Sequence, residues 1–442
     1  MPEELRFPVE KLVYGGDGLG HAAGQTVFVP YVLPGEEVRA AVMHKNKKLI
    51  RARLVEVVSP AKERVAPACA HFQTCGGCHY QHIPPAEQLR WKTEILRETL
   101  SRIGGIEWKG PIQKHASPPF GYRNRAQWAV KAGPPRALGY FLPSSSAICE
   151  IRECPVLSPR LTEVFSQLRE LLAGDAIPGN VQEIEAFADS LDERVLLNIA
   201  FEKFAEPPAE IAATIHGGVP SLESLLLHSE ATKKFELFGP GFLVHQVAGF
   251  SYRVSHLSFF QVNRFLAEEI LHEMTRESAG ALALDLYAGV GFFSLPLASS
   301  FERVVAVDAN LAATRDLRAN AERAGVNVAV HDESAETFLK KWRKRPDFVV
   351  LDPPRAGIGT EVAELLLKLG APQIAYLSCD LATLARDLAV LTGLSKAEAP
   401  HQESGARYEI AEVHLFDLFP QTYHIETLVR LRHGPSGPGQ TP

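Results

Sequence analysis

Three stretches place reactive side chains where a fold can use them. In Ala375-Tyr376-Leu377-Ser378-Cys379-Asp380, an apolar run ends in a cysteine. It predicts a buried parallel strand over 374–378 and a helix over 381–391, with Asp380 as the N-cap between them. Cys379 then lies at the carboxyl end of a strand and beside the amino end of a helix. Open α/β sheets bind ligands at that edge, and helix-end amides favour a thiolate there. Cys379 is thus a candidate nucleophile; the alternative is a buried structural cysteine. In the second stretch, Phe348-Val349-Val350-Leu351 runs into Asp352-Pro353-Pro354. The prolines lack N–H donors and fix an extended backbone, so Asp352 is held rigidly at the sheet edge. The third is Glu426, on a late strand predicted over 424–432. The preceding Phe419-Pro420-Gln421-Thr422 loop brings it to the edge that holds Cys379 and Asp352.

A cofactor site is legible upstream. The strand Ala281–Leu286 opens into Tyr287-Ala288-Gly289-Val290-Gly291-Phe292, the strand, glycine turn and helix of a nucleotide-binding crossover. The next strand, over 304–307, ends in Asp308, about 20 residues on, where an acid accepts ribose hydroxyls. A metal site is signalled by Cys69, Cys75 and Cys78, three cysteines within ten residues, with glycines that let the loop fold back. Cys149 and Cys154 both qualify as a fourth ligand, with His71, His79 and His82 nearby. Spacing alone fits either zinc or an iron–sulfur cluster.

The elements that must position these groups need more than one domain. At 442 residues the chain holds two or three cores, and 46% hydrophobic with 22% charged residues is ordinary for a globular protein. No apolar run reaches the length of a membrane span, and the first residues carry no secretory pattern. A cytoplasmic, reducing setting is expected, where six cysteines stay out of disulfides. A net charge of −6 gives no global attraction to nucleic acid, so such binding must be local.

Residues 5–58 read as short strands with glycine punctuation, spaced as in a small barrel. Between the last two lies His44-Lys45-Asn46-Lys47-Lys48, which is either a solvated hairpin tip or a phosphate-binding one. Further on, Arg123, Arg125 and Lys131 accompany Tyr122 and Trp128, a set suited to phosphates and unpaired bases or to a plain amphipathic hairpin. A helix is predicted over 86–103 with Gly104-Gly105 as its stop. Residues 156–250 read as mixed α/β, and 434–442 as a disordered polar tail.

Together these pieces resemble a known family, the bacterial RNA 5-methyluridine methyltransferases that carry a TRAM domain and an iron–sulfur cluster and modify 23S rRNA. The resemblance spans essentially the whole chain. It rests on the glycine-rich barrel, Cys69, Cys75 and Cys78 with Cys154 in Glu153-Cys154-Pro155, Phe259-Phe260-Gln261-Val262-Asn263, Asp285-Leu286-Tyr287, Asp352-Pro353-Pro354-Arg355-Ala356-Gly357, Ser378-Cys379 and His424-Ile425-Glu426. It implies an α/β multidomain protein. An OB-like TRAM barrel spans 1–60 and a central α/β iron–sulfur domain spans 61–255, with helix 86–103 packed on the catalytic domain. A Rossmann-like class I methyltransferase domain spans 256–433.

By the same resemblance, Cys69, Cys75, Cys78 and Cys154 hold a 4Fe-4S cluster and Cys149 is a spectator. Gln261, Tyr287, Gly289, Phe292, Asp308 and Asp352 contact S-adenosylmethionine, Cys379 is the nucleophile and Glu426 the base. Lys45, Lys47, Lys48, Arg123 and Arg125 are expected to hold RNA, either 23S rRNA or the tRNA T-loop, with the enzyme a monomer. Two departures stand out: the family's Ser-Cys-Asn-Pro is Ser378-Cys379-Asp380-Leu381 here, and Asp308 replaces a common Glu. A carboxylate beside Cys379 would raise its pKa unless Asp380 turns its oxygens to the helix amides. Amino methylation is the rival chemistry suggested by Asp352-Pro353-Pro354, but Arg355 stands where that class has an aromatic residue, and Cys379 would have no task. A non-catalytic RNA-binding assembly factor is the other alternative.

Overall fold

The computed structural model describes residues 3–131, 133, 136–178, 180–204, 206–394 and 407–434. The expectation of a disordered tail falls, Gly434 apart, outside the described residues. Strands Glu4–Leu12, Asp17–Ala22, Gln25–Pro30, Glu37–Lys45 and Leu49–Ser59 close into a barrel. Alternation turns Phe7, Val9, Val27, Val29, Val38, Ala40, Ile50 and Ala52 inward. The space is tight: a Cβ on Gly20 would stand 2.3 Å from the Pro8 carbonyl oxygen. The barrel does not hang free, since Leu12 and Leu33 are buried in the catalytic core and Lys11 Nζ meets Glu98 Oε1 at 2.5 Å.

The middle region is a seven-stranded sheet. Its spatial order runs Lys234–Phe238, Leu222–Ser229, Val195–Phe201, Val181–Ala188, Arg125–Lys131, Ala137–Phe141, Ile148–Glu150. Helices Pro159–Ala173 and Pro208–Gly218 bury Leu161, Phe165, Leu168, Ile211 and Ile215 against it.

The catalytic sheet has eight strands, ordered Val328–His331, Phe301–Val307, Gly280–Leu286, Phe348–Leu351, Gln373–Ser378, Glu426–His433, Tyr408–Phe416, Ile112–His115. The first five are parallel and doubly wound, so the strand order reverses beside Gly280–Leu286 and leaves a crevice at the carboxyl edge. Glu426–His433 enters antiparallel. The outermost strand, Ile112–His115, comes from far upstream and pairs parallel with Tyr408–Phe416. Four residues carry too little pattern to announce such a strand.

Helix Pro85–Gly104 ends at Gly105, whose φ of 65° suits glycine. It packs Ile95, Leu96 and Leu100 into one core with Leu384 and Leu388 of helix Leu381–Leu391. It also grips the loop that leads to Glu426. The fully buried Lys92 Nζ donates to Asp417 Oδ1 at 2.7 Å and to the Phe419 carbonyl at 3.1 Å. Gln88 brackets Gln421, donating to its Oε1 at 2.9 Å and accepting its backbone N–H at 2.8 Å. The hairpin Phe242–Val247 and Phe250–Ser255 packs Tyr252 and Val254 with Phe260, Ile270 and Phe292 of the catalytic core and reaches Phe187 and Leu196 of the middle sheet, so it bridges the two. Buried Asp316 fastens it, accepting from Arg253 Nε at 2.9 Å, the Ser255 N–H at 2.7 Å and Ser258 Oγ at 2.7 Å.

Candidate active site

Register brings the reactive groups together. Ser378 pairs with Thr427 across the antiparallel ladder, so the next residues outward, Cys379 and Glu426, are cross-strand neighbours. Leu351 pairs with Tyr376 in the parallel ladder, which sets Asp352 at the same edge. Cys379, Glu426 and Asp352 line one cavity of about 800 Å³. Asp380 is the N-cap of Leu381–Leu391: Oδ1 accepts from the Ala382 N–H at 3.0 Å and the Thr383 N–H at 2.9 Å. Such a cap contributes about 1 kcal/mol to the helix.

The cavity opposes negative charge. Burial, the Glu426 charge and the Asp352 charge push the Cys379 thiol up to about 12, with Arg355 pulling the other way. The burden expected from Asp380 is carried by Glu426 and Asp352 instead, and Asp380 Oδ1 is turned to the helix amides. Burial and the Asp352 charge hold Glu426 well above the usual carboxylate range. Burial and the Asp308 charge raise Asp352 to about 7. In this arrangement the thiol is protonated at neutral pH and Glu426 is shifted toward its protonated form, and a cation brought into the cavity would favour the charged forms of both.

The rest of the cavity suits a nucleoside with a positive centre. Tyr287 takes a left-handed φ of 65° and donates its N–H to the Val307 carbonyl at 2.9 Å, which turns the loop over the next strand. Asp308 Oδ2 accepts from the Gly289 N–H at 2.8 Å and Oδ1 from the Asn310 N–H at 2.7 Å. That fixes the carboxylate and leaves further lone pairs for hydroxyls. Gln261, Tyr287, Gly289, Phe292 and Asp308 all lie on the cavity wall, with Phe292 mostly buried against Tyr252 and Phe260. Buried Asp285 accepts from Ser294 Oγ beneath the loop, and its second oxygen has no partner among the described residues. Arg355 also lines the cavity, a functional position that sequence reasoning passed over although it stands inside the Asp-Pro-Pro-Arg motif.

A second cavity, of about 390 Å³, is lined by Cys69, Cys75, Cys78 and Cys154, and Arg355 stands on its wall too. The loop folds tightly: Gly76 donates its N–H to the Phe141 carbonyl at 2.9 Å, and a Cβ there would lie 2.7 Å from that oxygen. Backbone N–H groups of His71 and Gly77 reach the Cys69 and Cys75 sulfurs at 3.4 Å each. Cys149 is buried in strand Ile148–Glu150 and is not on the wall. Among the described residues, no three His, Cys, Asp or Glu side chains converge closely enough to hold a single metal ion. Four thiols on one cavity wall are a donor set of the kind that zinc and iron–sulfur clusters both use. Burial pushes Cys75 up to about 11 and Cys78 to about 12, so without a cation these groups are neutral thiols.

The basic residues divide. Lys45, Lys47 and Lys48 are exposed at the barrel hairpin, where Asn46 Oδ1 accepts from the Lys48 and Leu49 N–H groups at 2.8 and 3.0 Å. Lys45 Nζ meets Glu3 at 3.2 Å. The second patch dissolves. Tyr122 and Trp128 are fully buried and offer no stacking face. Arg125 is consumed internally: its Nε meets Glu185 at 2.5 Å, Nη1 donates to the Ser258 carbonyl at 2.8 Å, and the guanidinium covers Phe187. Arg123 donates Nε to the Arg125 carbonyl at 2.8 Å and lies on the cysteine cavity wall. A polar residue alternating along a strand looks the same whether it faces water or another element, which is why sequence placed this set on a surface.

Strand order, glycine loop and acidic strand end define the doubly wound domain of a class I methyltransferase. The tRNA (Uracil-5-)-methyltransferase family profile matches residues 242–433. The chain is 33% identical over 441 residues, 96% of each chain, to the 23S rRNA (uracil(1939)-C(5))-methyltransferase RlmD of Alkalilimnicola ehrlichii. It is 32% identical to an RNA methyltransferase of Aquifex aeolicus over 97% of this chain and 98% of that one. Among solved structures, the Pyrococcus abyssi tRNA (uracil-54, C5)-methyltransferase in complex with S-adenosyl-L-homocysteine superposes with a TM-score of 0.76 at 26% identity, covering 97% of this chain and all of that one. The chain belongs to the RNA (uracil-C5)-methyltransferase family and is an S-adenosylmethionine-dependent enzyme that methylates C5 of uridine in RNA. No helix among the described residues is long and apolar enough to cross a membrane.

Proposed function

We propose that the substrate is a uridine of 23S rRNA and that Cys379, Glu426 and Asp352 carry the reaction. The observation that supports this most is the cross-strand pairing that sets Cys379 beside Glu426 in the cavity shared with Asp352 and Asp308. Uracil C5 is a poor nucleophile. The Cys379 thiolate adds to C6, and the resulting enolate attacks the methyl sulfonium through C5, leaving S-adenosylhomocysteine. Glu426 then removes the C5 proton, and the electron pair released expels the thiolate from C6. Asp352 hydrogen-bonds the base and steadies the charge shifts. Gln261, Tyr287, Gly289, Phe292 and Asp308 hold the cofactor, and the target uridine leaves its stack to reach Cys379.

The substrate reading rests on whole-length similarity to a 23S rRNA enzyme. Its alternative, a tRNA T-loop uridine, rests on the solved tRNA (uracil-54, C5) neighbour. The barrel is proposed to be a TRAM domain that holds RNA phosphates through Lys45, Lys47 and Lys48, and the enzyme to act as a monomer. Cys69, Cys75, Cys78 and Cys154 are proposed to be the residues that would hold a 4Fe-4S cluster, which would order this region. Mapping 5-methyluridine in 23S rRNA and tRNA from a strain lacking this gene decides the substrate. Loss at a 23S site is expected, and loss confined to tRNA overturns the rRNA reading. Wild-type protein should form a covalent complex with 5-fluorouridine RNA, whose fluorine cannot leave as a proton, and Cys379→Ala should not.

A further inference from the structure

The barrel reaches into the catalytic site through its first turn. Between strands Glu4–Leu12 and Asp17–Ala22, the Val13 N–H donates to the Asp17 carbonyl at 2.9 Å and the Gly16 N–H to the Val13 carbonyl at 3.2 Å. This projects Tyr14, whose hydroxyl donates to Asp380 Oδ2 at 2.9 Å. The other oxygen, Oδ1, accepts the Ala382 and Thr383 N–H groups and lies 3.2 Å from Thr383 Oγ1. One residue back, Ser378 Oγ donates to the Asp380 carbonyl at 3.1 Å and accepts its N–H at 3.3 Å. Cys379 is therefore flanked on both sides by groups tied to Asp380, and one tie comes from the barrel. Next to Tyr14, Gly16 at φ 95° lies against Tyr423, three residues before Glu426; a Cβ there would stand 3.1 Å from that ring. The same turn thus touches both arms of the reaction.

We propose that Tyr14 is a positioning residue for Cys379, acting through Asp380, so that docking of the barrel sets the geometry and charge around the nucleophile. The hydroxyl holds Oδ2 and so fixes the side chain that caps the helix beside Cys379. It also keeps Oδ1 turned to the helix. The site is thereby registered to whatever RNA the barrel holds. This rests on Cys379 being the nucleophile.

The test measures the single-turnover rate of covalent complex formation at saturating S-adenosylmethionine and saturating 23S transcript carrying 5-fluorouridine. Tyr14→Phe should slow it roughly 10- to 30-fold, the scale of a lost hydrogen bond to a charged group, with cofactor affinity and half-saturating RNA unchanged. Asp380→Asn caps the helix without a charge, so Tyr14→Phe/Asp380→Asn should return to within about twofold of Asp380→Asn alone. Arg6→Ala, which removes an exposed ion pair to Glu37 within the barrel, should keep the wild-type rate. A wild-type rate in Tyr14→Phe, a defect confined to RNA affinity, or a double variant as slow as Tyr14→Phe would each overturn the proposal. Cys379→Ala separates the two readings: complex formation there would overturn the nucleophile itself.

Discussion

The two cavities that share Arg355 are built in opposite ways. The larger takes its groups from the ends of strands in one sheet, where ladder register sets the spacing of Cys379, Glu426, Asp352 and Asp308. The smaller takes Cys69, Cys75 and Cys78 from one loop and Cys154 from another, and relies on main-chain hydrogen bonds and a cramped Gly76 to hold them. Both nonetheless gather groups that repel one another once ionised, and burial raises the pKa of Cys379, Glu426 and Asp352 in one and of the four cysteines in the other. A sheet edge gives a preorganised site whose members can move protons during a reaction. Loops give a site that a ligand must finish.

Four experiments sharpen or break that contrast. The largest effect is expected in the sheet-edge cavity, where Glu426→Gln should slow turnover ~10²- to 10⁴-fold. The stalled enzyme should carry methyl-labelled RNA in a denaturing gel, because thiol addition and methyl transfer precede proton removal. Normal turnover, or no label on RNA, would assign the base elsewhere. In the loop cavity, Cys154→Ser should lose the iron of anaerobically prepared protein and lower its melting temperature, whereas Cys149→Ser should keep both. Iron retained in Cys154→Ser, or stoichiometric zinc in iron-replete preparations, would remove the cluster from the account.

The third experiment concerns charge. With its pKa raised to about 12, Cys379 should be alkylated faster as pH rises, the thiolate being lost as pH falls. The sulfonium cation favours the thiolate, so S-adenosylmethionine should shift that profile to lower pH by at least one unit, about tenfold in rate near neutrality. S-adenosylhomocysteine, which lacks the charge, should not. Equal shifts with both would mean that access, rather than charge, governs the thiol. The smallest effect is expected far from both cavities. Reversing Lys45, Lys47 and Lys48 to Glu should weaken RNA binding several-fold and flatten its salt dependence, leaving cofactor affinity alone. An unchanged salt slope would make the hairpin a solvated tip.

Much of the sheet-edge cavity was legible because each strand is an apolar run that stops at a functional residue: Leu351 before Asp352, Val307 before Asp308, Ser378 before Cys379. The N-cap role of Asp380 was legible for the same local reason. Pairing between distant strands was not, so that the antiparallel insertion of Glu426–His433, which puts Glu426 opposite Cys379, has no local signal. Arg125 and Trp128 misled because alternation reports a face and not what covers it. Tyr14 left no trace, since its partner lies 366 positions away.

The strand Ile112–His115 has a consequence for how this protein can be made and cut. It completes the catalytic sheet from a position upstream of the whole middle region, and its partner Tyr408–Phe416 is synthesised only after that region. The sheet therefore closes across nearly 300 residues, a slow, non-local pairing that leaves strand edges open during synthesis. A fragment limited to residues 242–433 would keep Cys379, Glu426 and Asp352, the side chains proposed to carry the reaction. It would also bare the Tyr408–Phe416 edge and the face of Leu381–Leu391 that helix Pro85–Gly104 covers, a surface prone to strand-to-strand association.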